Sequence, residues 1–335
     1  MANGSIKVGI AGGAGYTGGE LLRILVNHPD VEIVFAHSNS NAGKPVSDVH
    51  TDLLGDTNLK FTDQLSQNID VLFLCVGHGD ARKFLDIHDM DKSIRVIDLS
   101  QDFRLSQNSK HNSRSFVYGL PELNRESIKK AQNIANPGCF ATCIQMGLLP
   151  LASKGLLRGD VHINATTGST GAGQSLIATS HFSWRNNNLS VYKAFEHQHL
   201  NEIAQSLTQL QASFIAPAGG KEALLFIPQR GDFTRGILAS AYTESDLSLN
   251  EAYELYENYF KDHPFTHISR KNIDLKQVVN TNKCLIHLQS HGNKLLIISI
   301  TDNLLKGASG QAVQNMNLMF GLEERSGLRL KGVGF

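Results

Sequence analysis

Up to about residue 135, short apolar blocks alternate with stretches whose apolar side chains recur every three or four positions. Residues 6–11 and 31–36 read as strands, and 18–26 as a helix with Leu21, Leu22 and Leu25 on one face. Residues 71–75 are a short continuous apolar run of the kind buried on both faces of a parallel sheet, and 94–99 read as another apolar strand. A helix is expected over 81–88, and Ile134 and Ala135 close a further strand. Alternating strands and helices of this kind predict a doubly wound parallel sheet, the α/β class.

The pattern changes after about residue 150. Residues 160–167, 223–228 and 235–243 are longer and more alternating, which predicts a second, mostly antiparallel sheet. Ser248 and Glu251 form a capping box that opens a helix running to about Phe260, where His263-Pro264 ends it. A last strand is expected over 295–301 and a helix over 307–319. The length suits two domains rather than one core, and no repeat or low-complexity linker separates them.

Composition narrows the function. A formal net charge of zero gives no long-range attraction for nucleic acid or an anionic membrane surface. The longest apolar runs, such as 295–298, fall far short of the roughly 20 residues that span a bilayer. The N-terminus enters a strand without an apolar leader, and Cys75, Cys139, Cys143 and Cys284 are too scattered for a disulfide framework. A cytoplasmic protein is expected. Cys139 and Cys143 share a helical face, but no second pair completes a metal site, so no metal is expected.

Three runs carry candidate chemistry. Cys139 follows Ile134-Ala-Asn-Pro-Gly138, which reads as a strand end, a turn with Asn136 as N-cap and Pro137 at the first helical position. A thiol in the first helical turn meets unpaired N–H groups and the helix dipole, which favour the nucleophilic thiolate. Strand 6–11 runs into Gly12-Gly-Ala-Gly-Tyr-Thr-Gly18 and a helix, the setting for a dinucleotide pyrophosphate at Gly12, Gly15, Tyr16, Thr17 and Gly18. After the second strand no carboxylate awaits a ribose. Ser38, Ser40 and Lys44 stand there instead and favour the 2′-phosphate of NADP.

Glu196-His-Gln-His-Leu-Asn-Glu202 opens a helix, with His197 and His199 on different sides of its start. One of them can serve as acid/base toward the thiol, and Glu202 can fix the tautomer of His199. Arg104, beyond a strand end, offers a planar fork for a phosphate or carboxylate. Ser169 belongs to a glycine-rich loop, 168–173, that can present N–H groups to an anion. A cysteine nucleophile beside a nicotinamide site points to reduction of an acyl phosphate through a thioester.

Together these runs resemble the N-acetyl-gamma-glutamyl-phosphate reductases of arginine biosynthesis, over nearly the whole chain. The resemblance rests on Gly12–Gly18, Val96-Ile-Asp-Leu-Ser-Gln-Asp-Phe-Arg104, Val117-Tyr-Gly-Leu-Pro-Glu-Leu123 and Ala135-Asn-Pro-Gly-Cys-Phe-Ala-Thr142. It also includes Gly171-Ala-Gly173, the His-x-His-x-x-Glu-Ile run ending at Ile203, and Thr301-Asp-Asn-Leu-Leu-Lys-Gly-Ala-Ser-Gly-Gln-Ala-Val-Gln314. It implies a Rossmann-type NADP-binding domain over 1–138 and an α+β catalytic, substrate and oligomerisation domain over 139–306. A C-terminal helix within 307–335 would return to the first domain.

The resemblance further implies that Cys139 forms the thioester and that His199 is the acid/base, with His197 as its substitute. Asn303 and Gln311 would close over the nicotinamide, and Arg104, Asn136, Ser169 and Lys306 would contact the substrate. It implies a small-molecule N-acetyl- or N-succinyl-gamma-glutamyl phosphate as substrate and a homo-oligomer, dimer or tetramer. Aspartate-semialdehyde dehydrogenase and a non-catalytic NADP-sensing regulator are the competing readings. Members of the family commonly carry Arg where Asn39 stands, and Ala or Gly where Cys143 stands.

Overall fold

A computed structural model describes residues 4–214 and 222–334; Met1–Asn3 of the N-terminal reading and Phe335 lie outside them. The chain divides into two compact units. The first comprises the residues up to Pro137 together with Ala308–Arg329, the second Gly138–Gly307 with the residues from Leu330 onward. The segment from Leu330 was expected with the first unit. It joins the second because its backbone finds partners there, Val333 N–H donating to the Val279 carbonyl and Gly334 N–H to that of Lys276, both at 3.3 Å.

In the first unit β1 (Ile6–Ala11) leads into α1 (Tyr16–Leu25), then β2 (Val31–His37), β3 (Phe61–Thr62) and β4 (Val71–Leu74). Next come α2 (Asp80–Ile87), β5 (Arg95–Asp98), the hairpin β6 (Lys110–His111) and β7 (Arg114–Tyr118), α3 (Pro121–Lys129) and β8 (Asn133–Ala135). The strand order is β3-β2-β1-β4-β5-β8-β7-β6, parallel except for the β6–β7 hairpin. Each residue of β4 is buried, as a central parallel strand requires. Leu72, Leu74, Phe84, Leu85, Val96 and Phe103 belong to the apolar cluster on one side of this sheet. The chain reverses its winding between β1 and β4, the switch point at which doubly wound sheets bind ligands.

The second unit runs α4 (Cys139–Ala152), β9 (Val161–Thr167), α5 (Phe182–Arg185), β10 (Ser190–Val191) and α6 (His199–Leu210). It continues with β11 (Leu224–Arg230), β12 (Ile237–Glu244), α7 (Leu249–Phe260), β13 (Thr266–Ser269), β14 (Cys284–His291) and β15 (Lys294–Thr301). Its strand order is β10-β11-β9-β12-β15-β14-β13, antiparallel except for β9–β11 and β13–β14. Helix α4 is apolar on nearly all sides and correspondingly buried against this sheet and against α6 and α7. Close approach is possible at Gly147, where a Cβ would already lie 3.1 Å from the Ile297 side chain. The Tyr256 hydroxyl donates to the Gly147 carbonyl (2.6 Å), tying α7 to α4.

The chain then re-enters the first unit as α8 (Gly310–Phe320). A helix was expected from residue 307; a π-type turn, Leu305–Ser309, intervenes and delays its start. Ser309 Oγ donates to the Thr17 carbonyl (2.9 Å), linking the start of α8 to that of α1.

Candidate active site

Cys139 is the first residue of α4, and Gly138 is its N-cap. The sequence reading made Asn136 the cap. Asn136 is instead drawn into a network of the first unit, donating through Nδ2 to the Ala308 carbonyl (3.0 Å) and accepting from Asn315 Nδ2 (3.1 Å). The local cap is dispensable because a remote group replaces it: Glu202 Oε2 accepts the Gly138 N–H at 3.0 Å. Glu202 therefore binds the start of the cysteine helix from α6.

This changes the expected role of Glu202. Its other oxygen, Oε1, lies 3.9 Å from His199 Nε2, too far for a hydrogen bond. The carboxylate is a nearby charge for the imidazole, and one of its bonds goes to the backbone. His199 lies directly on Gly138, where a Cβ would be 2.3 Å from Nε2. Cys139, His199 and Glu202 are thus gathered around one glycine, within one unit.

His197 precedes α6 and is buried. Its Nδ1 accepts the His199 N–H (3.2 Å), and its ring packs edge-on against His199 (4.5 Å), Phe140 (5.5 Å) and Phe226 (5.5 Å). Burial, reinforced by the His199 and Lys193 charges, pushes its pKa down to about 3. His197 is therefore neutral at physiological pH. Beside it stands Tyr192 (5.8 Å), whose hydroxyl burial pushes up to about 12, with Arg230 opposing that shift and Cys139 adding to it.

The run after β15 holds this unit together. Asp302 is fully buried and binds Arg235 through both oxygens (3.0 and 3.2 Å). It also accepts the N–H groups of Asn280, Leu304 and Leu305. Asn303, expected at the cofactor, accepts the Gly236 N–H (2.7 Å) and donates to Thr170 Oγ1 (3.0 Å). That joins the start of β12 to the loop holding Ser169, whose N–H donates to the Phe233 carbonyl (2.8 Å). Lys306 is fully buried in the π-type turn. Its neighbour Gly307 lies against the thiol residue, where a Cβ would be 3.0 Å from that of Cys139.

In the first unit the glycine-rich turn bends at Gly12, whose φ of +81° suits glycine and whose Cβ would lie 2.5 Å from the Cys75 carbonyl. Gly18 is equally constrained, with a Cβ 2.5 Å from the Gly12 carbonyl. Gly15 is not. It caps α1 at φ −78°, and its Cβ would meet only the Gly12 carbonyl at 3.7 Å. Nothing in the fold requires glycine there, whereas close approach of a phosphate to the N–H groups of Tyr16, Thr17 and Gly18 does. The turn therefore fits a dinucleotide.

Ser38, Ser40 and Lys44 converge on a residue the sequence reading passed over. Asn41 Nδ2 reaches Ser38 Oγ (3.4 Å) and Ser40 Oγ (3.2 Å), and Lys44 Nζ donates to Asn41 Oδ1 (3.3 Å). Two hydroxyls and an ammonium on one loop suit a phosphate monoester. Arg104 was expected to face the substrate. It is buried, with Nε donating to the Asn136 carbonyl (2.8 Å) and a second nitrogen to that of Leu99 (2.9 Å), so it ties β5 to β8. Gln311 is buried in the first turn of α8.

Sequence reasoning missed Tyr192, Phe226 and Arg230. A signal existed in the row Leu224, Phe226, Pro228, Arg230, where alternate residues of β11 share a face and the last is charged. Among the described residues no group of three or more His, Cys, Asp or Glu could hold a metal ion. No helix of the described chain is long and apolar enough to cross a membrane.

A nucleotide-binding parallel sheet followed by a cysteine-bearing, mostly antiparallel unit defines the semialdehyde dehydrogenase class. Family models described as the NAD binding domain and the dimerisation domain of semialdehyde dehydrogenase match residues 7–131 and 139–303. Aspartate semialdehyde dehydrogenase II from Vibrio cholerae, complexed with ASA, shares this fold at a TM-score of 0.68 and 16% identity, covering 95% of this chain and 99% of that one. The Candida albicans enzyme with NADP gives 0.67 at 13% identity, covering 94% and 98%. Within that class the N-acetyl-gamma-glutamyl-phosphate reductase of Bacteroides thetaiotaomicron is 60% identical over 98% of this chain and all of its own length. That of Flavobacterium johnsoniae is 58% identical, with the same coverage. The chain belongs to the N-acetyl-gamma-glutamyl-phosphate reductase family.

Proposed function

We propose that this protein reduces an N-acyl-gamma-glutamyl phosphate to the N-acyl-glutamate 5-semialdehyde and phosphate, with NADPH, in arginine biosynthesis. The observation that carries the reading is the placement of Cys139 at the first position of α4, beside Gly138 on which His199 lies. NADPH, when bound, supplies a hydride. The turn Gly12–Gly18 would hold its pyrophosphate, and Ser38, Ser40 and Lys44 its 2′-phosphate.

The chain's own residues supply the rest. The helix start favours the Cys139 thiolate. Its sulfur bonds to the acyl carbon as the carbon–oxygen bond to phosphate breaks, and His199 passes the thiol proton to the departing phosphate. Once the thioester carbon has been reduced, the oxyanion collapses to the aldehyde and expels the thiolate, which the helix start again stabilises. His197 orients His199, and Glu202 fixes the helix start. The aspartate-semialdehyde alternative has only fold-level likeness, at 13–16% identity, in its favour.

The active form is a homo-oligomer, a dimer or tetramer. Leu176, Phe182, Trp184, Leu189, Val191 and Phe195 expose apolar surface in one short stretch of the unit matched by the dimerisation-domain model. Four free cysteines and a thiolate nucleophile suit the reducing cytoplasm. The test is NADPH oxidation by purified protein with N-acetyl- and N-succinyl-gamma-glutamyl phosphate. Turnover of at least one, lost in Cys139→Ser while NADPH still binds, supports the reading. Retained activity in that variant excludes it.

A further inference from the structure

Arg230 closes the inward-facing row of β11 and stacks on Tyr192, its guanidinium carbon 4.6 Å from the ring centre. Tyr192 in turn meets His197 edge-on at 5.8 Å, and His197 meets His199 at 4.5 Å. The guanidinium thus lies one aromatic ring beyond the histidine pair, on the same wall. It is close enough for its charge to act on both the Tyr192 hydroxyl and the His197 ring, and Cys139 acts on that same hydroxyl.

Among the described residues the buried Nε of Arg230 is left without a hydrogen-bond partner, and no carboxylate forms an ion pair with its guanidinium. The neighbouring cations do not change this. Arg185 is buried and donates to backbone oxygens, including the Arg230 carbonyl (2.6 Å), and to Ser190 Oγ (3.0 Å), while Lys193 donates to Gln198 (3.4 Å). A partly buried guanidinium held by the Tyr192 ring and its hydroxyl, with Nε unused, is built for a planar anion.

Resting on the reading of Cys139 and His199 above, we propose that Arg230 is a specificity-determining residue that binds a carboxylate of the substrate, remote from the reacting carbonyl. Two carboxylates have this chemistry: the α-carboxylate of the glutamyl group, and the terminal carboxylate of an N-succinyl group. The Tyr192 ring sets the plane of the guanidinium, and its hydroxyl stays protonated.

The test compares wild type, Arg230→Leu and Arg230→Lys. Loss of a charge-assisted bidentate contact raises KM by about 10-fold or more with little change in kcat, and lysine restores part of it. A rise with both acyl phosphates identifies the α-carboxylate; a rise confined to the succinyl substrate identifies its terminal carboxylate. Unchanged KM with both, or a fall in kcat that tracks a lowered Tm equally in both variants, overturns the proposal. A second readout is protection of Cys139 from alkylation by N-acetylglutamate and N-succinylglutamate, which needs no turnover. Protection of wild type at concentrations that leave Arg230→Leu unprotected supports the proposal even if neither acyl phosphate is reduced, an outcome that would defeat only the functional reading. Absence of protection by both compounds in wild type overturns it.

Discussion

Replacing Gly138 by alanine tests the packing of the catalytic groups with a single methyl. Gly138 has φ −71° and ψ 153°, an extended conformation open to any residue, so alanine adds no backbone strain. Its Cβ would lie 2.3, 2.6 and 2.7 Å from Nε2, Cε1 and Cδ2 of His199. Non-bonded heavy atoms settle at about 3.5 Å, so the imidazole must withdraw by about 1 Å. It is buried between His197 and Phe140, so the retreat disturbs its packed neighbours. Misplacement of about 1 Å costs on the order of 100-fold in rate, and overpacking costs about 1–3 kcal/mol of stability. The assay is kcat at saturating substrates, with Tm and an NADPH titration as controls. A large fall in kcat with NADPH affinity unchanged is expected, because Gly138 and the nucleotide turn belong to different units. A folded Gly138→Ala enzyme with near-wild-type kcat would show that turnover does not depend on the imidazole holding this position.

Further outcomes follow from single residues. His199→Asn should lower kcat by about 100-fold or more, the usual range for a lost acid/base group, whereas His197→Asn should mainly raise KM or lower Tm. Loss of thioester formation in the second variant alone would reverse the assignment. Burial raises the Asp98 carboxyl to about 7, so the folded state holds a proton that the unfolded chain releases near pH 4. The stability tied to that proton is complete below pH 4 and is lost as pH rises to about 7, on the order of 4 kcal/mol. The Tm of Asp98→Asn relative to wild type should therefore climb between pH 4 and 7 and then level off; a flat difference would contradict it. Asn41→Ala, which releases Ser38, Ser40 and Lys44, should weaken NADPH more than NADH, measured as separate KM values.

The parts of the fold legible in the sequence were those set by local pattern. The apolar run at β4, the glycine turn into α1 and the capping box of α7 each declare themselves within a few residues. The hairpin β6–β7 did not, because Arg114 and Ser115 interrupt the alternation and Arg114 reaches the Ile94 and Met90 carbonyls. Asn136 looked like a cap on local grounds. The true partner of the helix start, Glu202, comes from 64 residues away in the chain, a distance no local pattern carries. The proposed nucleophile and histidine pair stand in runs that were legible for the same local reasons as α1. Arg230 and Tyr192 were not, since only the pairing of β10 with β11 brings their segments together.

Every step of the proposed reaction depends on a covalent bond to Cys139. The most direct measurement is to mix the purified enzyme with the acyl phosphate in the absence of NADPH, then quench in acid and digest. Released phosphate and the mass of each cysteine peptide are read together. A burst of about one phosphate per active chain is expected, with the acyl mass on the peptide holding Cys139. Cys143, buried and with its thiol pushed up to about 12 chiefly by burial, should stay unmodified. A burst with no acylated peptide, or with the acyl group on Cys143, would contradict the proposed reaction.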